Sequence, residues 1–115
     1  MGQAIRETDE RQRAVRAEIE RLTAALKARG AHLVVLFGSR ARGQATRWSD
    51  IDLLAVLPCP ADETYAGRLA RLATELDPQV PVDLLVYSPE EFAEVKTSSL
   101  FVREALEQGE VLHAE

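Results

Sequence analysis

The sequence holds a single cysteine, Cys59. No internal disulfide is open to it, and nothing points to an oxidising compartment. No apolar run approaches the roughly 20 residues needed to span a bilayer. The N-terminus is polar and lacks a signal-peptide core, so a cytosolic protein with no membrane role is expected. Positive charge is not in excess: 14 Lys and Arg stand against 19 Asp and Glu, a net charge of −5. That balance argues against direct nucleic-acid binding, which needs a basic face, while leaving room for a local cluster such as Arg40, Arg42 and Arg47. Aromatics are scarce, at 5%. There is no internal repeat and no low-complexity segment. What remains is 115 residues of ordinary hydrophobic content, 46%, enough for a single domain over 1–115 with one modest core.

Periodicity lays out the elements. Residues 7–29 carry Val15, Ile19, Leu22 and Leu26 at helical spacing, with Thr8 placed to cap the start and Gly30 the end; residues 1–14 either belong to this long helix or fray. Strands are expected at 32–37, 51–57 and 82–87, the first apolar on both faces as an interior strand must be. Pro58 and Pro60 stop the second strand. A helix is expected from Asp62 to Leu76, with Tyr65, Leu69, Leu72 and Leu76 as its core stripe and Asp77-Pro78 at its end. Ser88-Pro89 reads as a helix start, and a final helix over 98–108 ends at Gly109 before a short closing segment, Val111–His113. His32 and His113 read as boundary residues. Cys59 reads as an ordinary loop residue, and Trp48 as a loop side chain packing back onto the fold rather than stacking on a base.

The chemistry concentrates at the ends of the first two strands. The first ends at Phe37 and turns through Gly38-Ser39 into Arg40-Ala41-Arg42-Gly43; ten residues separate Ser39 from Asp50, where Asp50-Ile51-Asp52 opens the second strand. Side chains two apart on a strand share a face, so Asp50 and Asp52 are placed to converge on one ion or to bridge two. Asp83 heads the third strand as Asp52 heads the second, and adjacent strands would gather all three carboxylates at one edge. Hard oxygen ligands with open positions suit Mg²⁺ or Mn²⁺, which take their remaining ligands from water and substrate phosphate. Gly38 lets a phosphate approach the backbone, Ser39 adds a hydroxyl at the start of a short helical turn over 40–43, and one of Arg40 and Arg42 is expected to fork onto a phosphate while the other lies on the surface. Each feature alone is weak. Together, heading apolar strands, they make a phosphate-holding turn beside a metal site.

The pattern Gly38-Ser39, ten residues, Asp50-x-Asp52, with Arg42-Gly43 and Ser49 in place and Asp83 in Val82-Asp83-Leu84-Leu85, resembles the minimal nucleotidyltransferases of the DNA polymerase β-like superfamily. The likeness extends over roughly residues 15–113, including the closing Glu107–Leu112. It implies an α/β (α+β) fold, a small mixed β-sheet flanked by helices like the polymerase palm. It implies a nucleoside triphosphate substrate, by family default ATP, held with two Mg²⁺ ions. Asp50 and Asp52 would bind the metals, Asp83 would complete the site and help deprotonate the acceptor, and Gly38, Ser39 and Arg42 are the nucleotide-binding candidates. The reaction would be in-line attack on the α-phosphate with release of pyrophosphate.

Superfamily members that modify small molecules or copy nucleic acid carry a further acceptor-binding domain, and none is expected after residue 113 here. The minimal members resemble the antitoxin half of HEPN/MNT pairs, so the expected acceptor is a hydroxyl on a helical HEPN-type toxin and the expected role is that of an adenylylating antitoxin. The first helix is a candidate surface for such a partner or for a second copy. Two other readings stand beside this one: a non-catalytic module that neutralises a toxin by occlusion, and the catalytic subunit of a two-chain enzyme acting on a small molecule such as an aminoglycoside.

Overall fold

Thr8 opens the first helix, α1 (Asp9–Ala28): its Oγ1 accepts the Arg11 N–H at 3.1 Å, Asp9 and Glu10 occupy the first turn, and Lys27 the last. This computed structural model describes residues 6–115, so residues 9–14 belong to α1 and the expectation for 1–5 lies outside the described residues. The stripe Val15, Ile19, Leu22 and Leu26 is buried as its spacing requires. Glu18 is buried with it, its carboxylate taking two N–H groups from Arg21 and the backbone N–H of Gln79 at 2.6 Å.

The chain continues through β1 (Leu33–Phe37), α2 (Gly38–Ala41), β2 (Ile51–Val56), α3 (Tyr65–Leu76), β3 (Val82–Tyr87), α4 (Pro89–Ser98), α5 (Leu100–Gln108) and β4 (Glu110–Ala114). The strands form one mixed sheet in the order β3-β2-β1-β4; β1 is antiparallel to both its neighbours, and β2 is parallel to β3. Period-two alternation divides the strands between two cores. Val34, Leu36, Ile51, Leu53, Ala55 and Val86 pack with α1 and α3, whereas Val35, Phe37, Leu54 and Val56 pack under α4 and α5. Each of these side chains larger than alanine contributes roughly 1.5–3 kcal/mol when fully buried. The chain passes from α5 into β4, beside β1, through Gly109, where a Cβ would meet the Val35 side chain and the carbonyl oxygens of Leu36 and Ala105.

Three boundaries differ from the expectation, two of them because a side chain caps more effectively than its neighbour. Thr64, not Asp62, starts α3, its Oγ1 accepting the Gly67 N–H at 3.0 Å. The helix expected from Ser88-Pro89 is present as α4, and the final helix starts at Leu100 rather than 98. Ser88 and Glu91 close a reciprocal capping box at the start of α4, and Ser99 caps α5. The short turn after β1 begins at Gly38, two residues earlier than its sequence suggests. On α3 the stripe is also corrected. Leu72 and Leu76 are buried, but Tyr65 is 41% exposed and its hydroxyl accepts the Val86 N–H at 3.3 Å. Arg68 is buried instead, donating to the Val86 carbonyl at 3.0 Å and to Glu91 at 2.8 Å, which ties α3 to β3 and to the start of α4. That contact, with the Ser88 backbone N–H, holds the Glu91 carboxyl down at about 2.

Candidate active site

Antiparallel pairing sets Phe37 opposite Asp52, and parallel pairing sets Asp52 opposite Asp83. The turn after β1 and the starts of β2 and β3 therefore meet at one end of the sheet, on the face covered by α4 and α5. Gly38 sits at φ 75°, and a Cβ there would collide with the Asp52 carboxylate. Only glycine lets the turn lie against that carboxylate.

Asp52 is partly buried with like charges around it. Burial, then Asp83 and Asp50, push its carboxyl up to about 6, with Arg40 pulling the other way. A carboxylate in that position gives up its proton less readily than a free one, and its hard oxygens with those of Asp83 suit a divalent ion. The structure brings Asp52 and Asp83 together directly; Asp50 is exposed one position before β2 and adds its charge to theirs. Among the described residues, no three acidic, histidine or cysteine side chains converge as a ready three-ligand group. The pair is the nucleus of the site.

The two arginines of the turn part company. Arg40 points inward: its guanidinium forks onto Glu7 at 2.7 and 2.8 Å and donates to the Ser49 carbonyl at 2.8 Å, the Glu7 side chain being fully buried. Arg42 is exposed, donates to Gln44 over a long 3.4 Å, and lines the cleft with Gly38 and Asp52. Ser39 donates to the Ser49 hydroxyl at 3.1 Å, and Ser49 also accepts the Thr46 N–H at 3.0 Å. These bonds fold the 44–49 loop against the turn and aim the chain at Asp50.

The cleft beside the pair has a volume of about 530 Å³. Phe37, Gly38, Arg42, Asp52 and Asp83 line it together with Leu84 and Leu85 of β3 and Phe101, Glu104, Ala105 and Gln108 of α5. The α5 residues carry no sequence motif. The signal that finds them is their helical spacing of three and four, one face of α5, read against the tertiary position of that helix. Glu7 was equally invisible, since nothing local links it to Arg40. Trp48 departs from the expectation that it packs back onto the fold: it is 72% exposed, with only the Arg47 guanidinium stacked on it at 4.6 Å. Cys59 is inert loop structure, its thiol donating to the Leu57 carbonyl and pushed up by burial. His113 bonds the Ala31 carbonyl at 3.1 Å, away from the cleft.

A family model described as a nucleotidyltransferase domain matches residues 19–110. Among solved structures, a toxin-antitoxin complex with AMP-PNP is 25% identical with a TM-score of 0.54, over 84% of this chain and 73% of that one. The toxin-antitoxin MntA-HpeT, solved as a mutant, is 23% identical with a TM-score of 0.51, over 85% and 73%, and shares the fold. No curated protein matches the chain.

Proposed function

Because the chain belongs to the nucleotidyltransferase domain family, we propose that it transfers a nucleoside monophosphate, AMP from ATP, to a hydroxyl on a partner toxin of the helical HEPN type, and so acts as an antitoxin. The observation that carries this is the Asp52–Asp83 pair set in register against the Gly38 turn. The toxin-antitoxin relative holding AMP-PNP supports both the nucleotide and the kind of partner.

In this reading Gly38 lets the triphosphate lie against the backbone, Ser39 adds its hydroxyl, and Arg42 reaches a phosphate oxygen while Arg40 keeps the turn in place. Asp50, Asp52 and Asp83 would hold two Mg²⁺ ions, or Mn²⁺ in their stead, which would supply neutralisation of the phosphate charge. Asp83, at the outer strand, takes up the acceptor's hydroxyl proton. The acceptor oxygen bonds to the α-phosphorus, the bond to the bridging oxygen breaks, and pyrophosphate leaves. The protein's part is positioning and charge, with no covalent intermediate.

The test is incubation with ATP labelled on its α-phosphate and Mg²⁺ in lysate of the source cells, beside the Asp50→Ala/Asp52→Ala double variant. A single labelled protein band, present with the native chain and absent with the variant, is the expected result. Pyrophosphate release without a labelled protein moves the acceptor to a small molecule. Neutralisation of a toxin that survives the double variant makes the chain an occluding module instead.

A further inference from the structure

The match to the nucleotidyltransferase domain begins at residue 19, but the network that holds the turn begins at Glu7, ahead of α1. Glu7 directly precedes the Thr8 cap, so the buried stripe of α1 fixes where it stands. Its fully buried carboxylate takes both ends of the Arg40 guanidinium, and the Arg40 Nη2 also donates to the Ser49 carbonyl at 2.8 Å. One residue earlier, Arg6 pairs with Thr46 in an antiparallel bridge, and Thr46 gives its N–H to the Ser49 hydroxyl. The loop that leads into Asp50 is thus gripped at Thr46 and at Ser49 by the segment ahead of α1.

Resting on the metal-assisted transfer proposed above, we infer that Glu7 is a positioning residue for Asp50, acting through Arg40 on the Ser49 peptide. The Ser49 carbonyl and the Asp50 N–H belong to one planar unit, so holding that oxygen fixes the plane from which Asp50 departs. Stability alone does not call for the network. A buried ion pair loses about as much in desolvation as it gains, and an apolar pair of similar volume often does as well or better. The surroundings would accept one, since Val15, Ile19 and Leu36 line the same hollow as Glu7 and Arg40. An apolar pair could not donate to the Ser49 carbonyl. Asp50 is the carboxylate that depends on such a hold: pairing of β2 with β3 locks Asp52 and Asp83, whereas Asp50 is exposed and precedes β2. Groups that orient a metal ligand from behind commonly govern the affinity of the ion.

The experiment is Mn²⁺ binding, followed by electron paramagnetic resonance, to the full chain and to Glu7→Ala/Arg40→Met, Glu7→Gln and Asp50→Ala, with denaturant unfolding of each. The double variant restores an uncharged interior but leaves the Ser49 carbonyl without its donor. It is expected to fold stably and yet to bind Mn²⁺ about tenfold or more weakly, as Asp50→Ala does. Charge alone predicts the opposite: the Arg40 cation reaches Asp52, and its loss would tighten a metal ion there. Weaker binding therefore reports position. Native Mn²⁺ affinity in the folded double variant overturns the assignment and leaves the network as scaffold only. Glu7→Gln keeps one of the two bonds to Arg40 and should weaken Mn²⁺ in the same direction by less. Should the double variant fail to fold, unchanged or tighter binding by Glu7→Gln overturns the assignment instead. A native chain that takes up no Mn²⁺ removes the metal reading itself, a failure distinct from that of Glu7.

Discussion

On the α1–α3 side of the sheet, Ile51, Leu53, Ala55 and Leu57 are each 1% exposed or less. On the other side, the alternating residues of the same strand begin with Asp52 and only then become apolar, with Leu54 and Val56 buried under α4 and α5. The covers differ as the faces do. Helices α1 and α3 run 20 and 12 residues, while α4 buries none of its side chains and α5 only Val102 and Ala105. A strand thus serves stability with one set of positions and, in the proposed function, chemistry with the other. Short helices leave the chemical face open at the end where β1 turns into α2. The sealed face can anchor the strands firmly enough to hold Asp52 beside Asp83 despite their repulsion.

That contrast can be broken from either side. Asp52→Ala should lower transfer by about 10³-fold or more, because the metal neutralisation it serves is worth several kcal/mol, while thermal unfolding shows no loss of stability. A clear fall in melting temperature would mean that the open face is structural too. Glu7→Ala strands the buried Arg40 guanidinium and should cost roughly 3–5 kcal/mol in denaturant unfolding. The Glu7→Ala/Arg40→Met pair should recover much of it, and failure to recover would show that the network does not act as a pair. Leu53→Ala on the sealed face should cost roughly 2–5 kcal/mol, against about 0.5 kcal/mol or less for Leu100→Ala on the open one. Similar values for the two would erase the distinction between faces.

The smallest effects are in pH, and they have opposite signs on two carboxylates. Asp52 binds its proton more tightly folded than unfolded, so its contribution is fully present below its ordinary 3.8 and is lost as pH rises through about 6. Without divalent cations, Asp52→Asn should therefore melt a few degrees above the native chain at pH 8 and level with it near pH 4; Mg²⁺ should close the gap at high pH. Glu91 is depressed, so its contribution is present above 4.5 and is lost as pH falls toward about 2. Glu91→Gln should melt below the native chain at neutral and higher pH and approach it as pH falls toward about 2, so that the acid limb of the melting curve flattens. Either curve with the reverse slope would refute the environment assigned to that carboxylate.

Much of the site was legible in the order of residues because its parts are local. Gly38-Ser39 must follow an apolar strand, and Asp50-x-Asp52 and Asp83 must head two more; period-two alternation and turn chemistry say so without any tertiary contact. What was illegible depends on distance along the chain. Arg40 and Arg42 are two residues apart with identical side chains, and only the approach of Glu7, 33 residues earlier, sends one inward and leaves the other in the cleft. Arg68 interrupts an apolar stripe for the same kind of reason, since the Val86 carbonyl and Glu91 wait for it inside. Trp48 shows the converse: a large apolar side chain for which the fold supplies no covering surface among the described residues.

The sequence by itself determined the elements, the sheet's apolar strands, and which carboxylates and which turn stand at the strand ends, because backbone periodicity, capping and glycine conformation act over a few residues. Tertiary structure alone decided that β2 and β3 lie side by side so that Asp52 faces Asp83, that Arg40 is spent on Glu7, and that α5 lays Phe101, Glu104 and Gln108 along the cleft. Those outcomes follow from which surfaces bury one another, a choice made among distant segments that no local pattern encodes.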